Sequence, residues 1–472
     1  MSKEGTDKEK TGTEKNLNFF FKPESIALIG ASPNPEKLSH TVLESLQKMG
    51  FKGKLYPVNP GYKEIEGLKC YSSPGEIEDR IDIAIFAVPA KAVLEIIKGP
   101  VENIKGAVIV SSGFREMGPG GKKMEEELRT LLNEKDIRAM GPNCLGIYDT
   151  VSKVDTFFIE GEKIERPSRG GVSVLTQSGS FAAVIMDELA NEEAGVARVV
   201  SYGNKVDVDE SDCLDFLAQD EATKAVALYI ESVGDGRKFL ESASNCVKKK
   251  PVVALKVGKR EPGARAASSH TGAISGRYEA YEAAFRKTGI IEVASYEELK
   301  AACKVLNRYS PIAGKRVLII TDGGGIGISI TDSCEEAGLK VPELSETAAK
   351  RLKEKLPPFA SVRNPIDLTG NVRDEHYIDA LEEVLSGEYD LAIVSLLWGP
   401  PLLTEEVAEK IRNFADSCGK PVLISSPDGS YSRKMASAFT DSGMPVFFTP
   451  ENVVRAAAVL CRGTSHILRS IL

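Results

Sequence analysis

The 472-residue chain predicts an α/β protein built from three doubly wound, parallel-sheet domains. Three observations carry that expectation. One local plan occurs three times: "SIALIGASPN" from Ser25, "VSVLTQSGS" from Val172 and "RVLIITDGGG" from Arg316. Each runs from aliphatic residues into a turn of Gly, Ser, Asn or Asp, and then into a helical pattern. The copies stand about 145 residues apart, which divides the chain into thirds. The apolar runs are continuous rather than alternating, as in strands covered on both faces by helices.

In the first third, Leu38, Val42, Leu46 and Met49 follow the turn at helical spacing, and "IDIAIFAV" (81–88) and "GAVIVSS" (106–112) supply further strands. "AVALYIE" (225–231) and "PVVALKV" (251–257) do so in the second third, "DLAIVSLL" (390–397) and "PVLISS" (421–426) in the third. "RPSRGG" and "YSPIAGK" read as linkers, so domains are expected over 17–150, 151–310 and 311–472. The first sixteen residues are almost free of apolar side chains and are expected to form a disordered tail, with no secretory signal.

Lys plus Arg total 60 against 68 Asp plus Glu, a net charge of −8 that disfavours a non-specific nucleic-acid binder. No apolar run approaches the roughly 18 residues of a membrane helix. The eight cysteines are scattered and form no C-x-x-C pair, so neither a zinc knuckle nor a thioredoxin-like motif is present; no metal site is expected, and a reducing, cytoplasmic location is.

Each turn offers a chemistry. The first, Gly30-Ala31-Ser32-Pro33-Asn34, lacks the G-x-G-x-x-G of a dinucleotide site. It supplies a glycine for close approach, the Ser32 hydroxyl, and Lys37 at a helix start that favours an anion. Lys63 stands where an NAD site would carry an acid, which suits a phosphorylated ribose. The alternative is a tight turn without a ligand. In the second turn, Ser178 or Ser180 caps a helix whose N–H groups, with Gly179, point at whatever lies beyond. A serine-nucleophile elbow is the weaker alternative, because its first glycine is absent. The third, Asp322–Gly327, packs Gly323, Gly324, Gly325 and Gly327 into five positions without the Lys of a P-loop, and reads as another helix end built to meet an anion, against the alternative of a merely tight turn.

"SSHTGAISG" (268–276) places His270, one of four histidines, among small residues that leave an imidazole room to work; the alternative is a flexible surface loop with an incidental histidine. Glu231 closes the strand "ALYIE"; near His270 it would accept the ring N–H and raise imidazole basicity. Two anion-ready helix ends, an unencumbered histidine and a carboxylate point to a phosphate carried on the imidazole.

Together, "GPNCLG" (141–146), "LTQSGS" (175–180), "YIESVGD" (229–235), "SSHTGAISG" and "NPIDLTG" (364–370) resemble the NDP-forming acyl-CoA synthetases, relatives of succinyl-CoA synthetase, over residues 17 to 465. The likeness is strongest to the α subunit of a two-subunit, ADP-forming enzyme of the acetyl-CoA type. It implies a Rossmann-like CoA-binding domain followed by two flavodoxin-like ligase domains. It makes His270 the phosphorylated residue on a mobile loop, Glu231 its holder, and Ser178–Ser180 and Gly323–Gly325 the two phosphate-receiving helix ends. Coenzyme A contacts are implied at Gly30, Ala31, Ser32, Lys63 (or its neighbour Tyr62), Pro89, Ser111, Ser112 and Asn143. No segment resembles an ATP-grasp unit, so an ATP-grasp β subunit is expected to bring Mg-ADP or Mg-ATP, in an α2β2 assembly. The rival readings are an NAD-dependent oxidoreductase, a non-catalytic CoA-sensing subunit and a protein acyltransferase on the same scaffold. The missing dinucleotide glycines, the presence of His270 and the lack of an acetyltransferase-like extension argue against them in turn.

Overall fold

The computed structural model describes residues 17–263, 265, 277–385 and 387–462, so the expected tail at 1–16 lies outside the described residues. Three sheets account for most of the strands. The first has five parallel strands in the spatial order Lys54–Val58, Ser25–Ile29, Ile81–Phe86, Ile104–Ile109, Arg138–Met140. The second has seven, in the order Ile291–Val293, Val252–Lys256, Ala225–Ile230, Arg169–Thr176, Val196–Ser201, Gly146–Asp149, Val154–Asp155; the last two are antiparallel additions. The third has six, in the order Ser361–Val362, Ile366–Asp367, Val317–Thr321, Leu391–Ser395, Val422–Ser425, Val446–Phe447, with only the first antiparallel. Every residue of the strands Ile81–Phe86, Val196–Ser201 and Leu391–Ser395 is buried, as continuous apolar runs require when both faces are covered.

In each sheet the strand that carries the repeated plan is the one at which the order reverses. Ser25–Ile29, Arg169–Thr176 and Val317–Thr321 each have the next parallel strands of their domain on opposite sides. A crevice opens beyond the carboxyl end of such a strand because the following connections leave to opposite faces. All three turns singled out in the sequence therefore lie at switch points.

One departure matters. Gly146–Asp149 precedes the division expected at 150/151, yet it pairs antiparallel with Val196–Ser201 in the second sheet. Arg198 fixes that register: fully buried, it donates through Nε to Asp149 at 2.8 Å and through Nη1 to Asp220. The helix after the first turn runs over Leu38–Met49 with Lys37 at its N-cap, as the spacing predicts, and a loop separates Gly30–Ser32 from its N-terminus.

The domains share cores. One apolar cluster runs from Val174 and Val199 of the second sheet to Ile319, Leu391 and Val459 of the third domain. Another joins Ile26 and Ile83 of the first sheet to Leu175 and Leu228 of the second. The buried Lys304, on the helix Tyr296–Leu306, crosses to the third domain by donating to Val446 O at 2.6 Å while holding Glu192 at the same distance. Among the described residues no helix is long and apolar enough to cross a membrane, and all eight cysteines are free thiols.

Candidate functional site

At the first turn Gly30 adopts φ +86°, and a Cβ there would stand 2.5 Å from Val88 Cγ1 and 2.8 Å from Ala87 O. Only glycine lets the chain turn this close to the neighbouring strand. The N–H groups of Gly30 and Ala31 donate to Val58 O, so they are committed within the sheet, and the Ser32 hydroxyl accepts from Asn34 N. Ser111 Oγ donates to Phe86 O and Val88 O, and Asn143, at φ +57°, donates its N–H to Ser111 O at 2.9 Å. Pro89 precedes the helix Ala90–Lys98, and Ser112 is exposed beside Ser111. The fold thus lines up Gly30, Pro89, Ser111 and Asn143 along one carboxyl edge. A cavity of about 350 Å³ opens beside Gly30, lined also by Asn59, Ser72, Ser73 and Val88. Lys63 is exposed and does not line it. Asn59, which braces the turn by donating to Ala31 O at 2.7 Å, was not singled out in the sequence. The pair "NP" at 59–60 reads only as a turn signal.

The second and third turns are built alike. Thr176 Oγ1 accepts from Ser178 N at 3.0 Å and donates to Ser178 O, while Thr321 Oγ1 does the same for Gly323. The helices Gly179–Asn191 and Gly324–Glu336 follow at once. Ser178 caps the first of them by accepting from Phe181 N, and its hydroxyl lies 3.1 Å from that of the exposed Ser180. The second has no side-chain cap; a Cβ on Gly324 would lie 2.6 Å from Asp367 Oδ2, so a carboxylate already packs against that helix end. No hydrogen bond among the described residues joins the two turns. They share a core instead, since Phe181 and Ile326, the third residues of their helices, pack on the same apolar cluster.

The residue after each threonine reaches across to the next strand. Gln177 Oε1 accepts from the N–H groups of Glu231 (2.7 Å) and Ser232 (2.8 Å), and Gln177 Nε2 donates to Ser232 Oγ. Asp322 Oδ1 likewise accepts from Leu397 N at 2.8 Å. Glu231 is 5% exposed, and its carbonyl accepts from Lys256 Nζ at 2.9 Å. Lys256 also donates to Val257 O and lies 4.6 Å from the centre of the Tyr281 ring. Burial pushes this ammonium down to about 8, against the charge of Glu231, which favours the cation. Glu231 is thereby fixed at one switch point by the side chain that starts the neighbouring helix end. Gln177 and Lys256 were not foreseen, because their partners are distant in sequence. His270 lies outside the described residues. The described chain continues from the strand Val252–Lys256, whose end touches Glu231, through 257–263 and 265, and resumes at Arg277 before the helix Tyr278–Thr288.

Asp322 has a measurable signature. Burial, followed by the nearby Asp367, pushes its carboxyl up to about 6 in spite of the Leu397 N–H. The unfolded chain ionises near pH 4, so the folded state retains its proton longer, and stability falls as pH rises from about 4 to 6. The difference is of order 2–3 kcal/mol. Asp322→Asn is expected to flatten that interval and raise stability at pH 7, read as urea midpoints at pH 4.5 and 7. An unchanged profile would count against a buried, proton-holding Asp322.

Comparison with known proteins joins these parts. Residues 24–150 match the model of a CoA-binding domain, 169–306 that of a succinyl-CoA ligase-like flavodoxin domain and 317–463 that of a ligase-CoA domain. The α subunit of ADP-forming acetate–CoA ligase II of Pyrococcus furiosus is 36% identical over 457 residues, covering 96% of this chain and 98% of that subunit. The chain belongs to the ADP-forming acyl-CoA synthetases. Another member of that family, ADP-forming acetate–CoA ligase I of Archaeoglobus fulgidus, is 37% identical over 94% of this chain, which spans 63% of its length. Among solved members, the dinucleotide-forming acetyl-coenzyme A synthetase 1 of Candidatus Korarchaeum cryptofilum, in complex with phosphate and ADP, superposes with a TM-score of 0.88 at 33% identity, covering 97% of this chain and 99% of that one. The three α/β domains are thus the CoA-binding and flavodoxin-like ligase domains of an acid–thiol ligase.

Proposed function

We propose that this chain is the α subunit of an ADP-forming acyl-CoA synthetase and carries the steps acyl-CoA + phosphate → acyl phosphate + CoA and acyl phosphate + His270 → acid + phospho-His270. A β subunit with an ATP-grasp site, in an α2β2 assembly, then moves the phosphoryl group to Mg-ADP. The observation that carries the reading is the join at the second switch point. There Gln177 ties the Ser178-capped helix end, which attracts an anion, to the buried Glu231.

The chemistry follows from these groups. CoA is held along the first sheet by Gly30, Ala31, Ser32, Pro89, Ser111, Ser112 and Asn143, with Lys63 reaching from outside the cavity. Phosphate attacks the thioester carbonyl, and the C–S bond breaks with the electron pair leaving on CoA. The neutral His270 imidazole, nucleophilic near pH 7, attacks phosphorus, and the carboxylate leaves. Glu231 holds the other ring N–H and supports the positive charge that develops on the ring. The Ser178–Ser180 and Gly323–Gly325 helix ends receive the phosphoryl oxygens, each contributing about 0.3–1 kcal/mol, or ~2 when partly buried. The Asp367 carboxylate at Gly324 competes for the second of them, so phosphate arrival there requires Asp367 to give way. The cytoplasm is the compartment that suits eight free thiols.

Ligand choice tests this directly. In calorimetry the isolated chain is expected to bind CoA and to ignore NAD, because the Gly30 turn lacks the dinucleotide glycines. Micromolar NAD binding without CoA binding would replace this reading by that of an oxidoreductase.

A further inference from the structure

The proposed reaction needs a thioester held by the first domain to meet a phosphate held by the second, and one short segment is stitched between them. After the strand Val196–Ser201, Asn204 N donates to Pro142 O at 2.9 Å, Val206 N to Gly141 O at 2.8 Å and Val208 N to Ala139 O at 3.0 Å. Gly203, at φ +54°, makes this approach possible: a Cβ there would run into the carbonyl oxygens of Pro142 and Asn143. The adjoining Asn143 in turn donates to Ser111 O.

Two consecutive side chains then reach different sites. Asn204 is buried, and its Nδ2 donates to Glu116 Oε2 and Glu125 Oε2, both at 2.8 Å. An amide nitrogen has two hydrogens, so it serves both carboxylates at once. Glu116 Oε1 accepts from Gly113 N (2.6 Å) and Phe114 N (3.1 Å). Asn204 therefore holds, through Glu116, the turn that directly follows Ser111–Ser112. The Lys205 side chain is 7% exposed; its Nζ donates to Ser232 O at 2.7 Å and to both oxygens of the buried Glu210 at 3.0 and 3.2 Å. Lys205 adopts φ +51°, a left-handed conformation uncommon for a residue with a side chain, and its partners hold it there. With Gln177 on the Glu231 and Ser232 N–H groups and Lys256 on the Glu231 carbonyl, Lys205 completes the fixing of the Glu231–Ser232 backbone.

We propose that Asn204 and Lys205 are positioning residues that set the two halves of the reaction against each other, Asn204 through the turn after Ser111–Ser112 and Lys205 through the backbone beside Glu231. The proposal rests on the acyl-CoA synthetase reading above. Attack on a thioester needs the reacting atoms about 3–3.5 Å apart, and a 1 Å error costs on the order of 10²-fold. A joint between the domains that carry the two reactants is where such an error arises.

Phosphoryl label can enter from two sides, and only one uses CoA. The complex with its ATP-grasp chain is labelled either with acyl-CoA and radioactive phosphate or with γ-labelled ATP. Asn204→Ala is expected to slow labelling from acyl-CoA about 10–100-fold while labelling from ATP changes less than about two-fold. Asn204→Ser, which retains one donor, replaces it should the alanine variant fail to fold, with a smaller change in the same direction. Lys205→Met combined with Glu210→Gln removes the buried pair together and is expected to slow both routes, because it loosens Glu231. Equal slowing of both routes by the Asn204 change, or of neither, overturns its role. Unchanged labelling in the paired Lys205 variant overturns the other. A wild-type complex that takes label from neither donor sinks the reading of the site, and the proposal with it.

Discussion

Glu231→Gln is expected to lower turnover by ~10²–10⁴-fold, the range typical of a group that assists proton and charge movement at the reacting centre. The structure makes this substitution clean. Glu231 is buried, its N–H and that of Ser232 are held by Gln177, and its carbonyl is held by Lys256. The amide therefore lands where the carboxylate was, and what is lost is the carboxylate charge, which also favours the Lys256 cation. Coenzyme A affinity should change by less than about two-fold, because the residues assigned to it lie on another sheet. A factor of ten in rate is about 1.4 kcal/mol, so the expected drop lies far outside assay error. A variant within two-fold of the wild type would remove Glu231 from the mechanism.

The second large effect is all-or-none. The purified chain should bind CoA yet make no ATP, and an ATP-grasp β chain should restore the complete reaction. Neither helix end offers the lysine that a P-loop places on the terminal phosphates, and the end at Gly324 already carries the Asp367 carboxylate. Relatives covered over 97% and 98% of their length are named α subunits, which implies a partner subunit. ATP synthesis by the isolated chain would establish a nucleotide site in the third domain and defeat the proposal. With the complex in hand, a panel of carboxylic acids reads out the acyl group.

What could be read from the sequence followed from local chemistry. The strands announced themselves because residues buried on both faces leave unbroken runs such as "IDIAIFAV", and the turns because glycine and serine crowd at their ends. That these turns sit at the switch points follows from the same logic, since each domain's first parallel strand lies where the order reverses. The contacts that tie these turns to their neighbours were not legible. Gln177 meets Glu231 across 54 positions and Lys205 meets Ser232 across 27, and no local pattern marks a long-range partner. Asp367 appeared only inside the motif "NPIDLTG", with nothing to say that its carboxylate would press on Gly324. The strand Gly146–Asp149 was hidden for another reason. Its residues are all buried, but they include Tyr148 and Asp149, and the aspartate is tolerated there because Arg198 pairs with one oxygen while the N–H groups of Val151 and Ser152 donate to the other.

The central claim is that the phosphoryl group passes through His270. The direct measurement incubates the chain with acyl-CoA and radiolabelled phosphate and maps the label by peptide analysis. An acid-labile, base-stable label on the peptide containing His270, absent together with turnover in His270→Asn, is the predicted result. Normal labelling of the His270→Asn chain would contradict it.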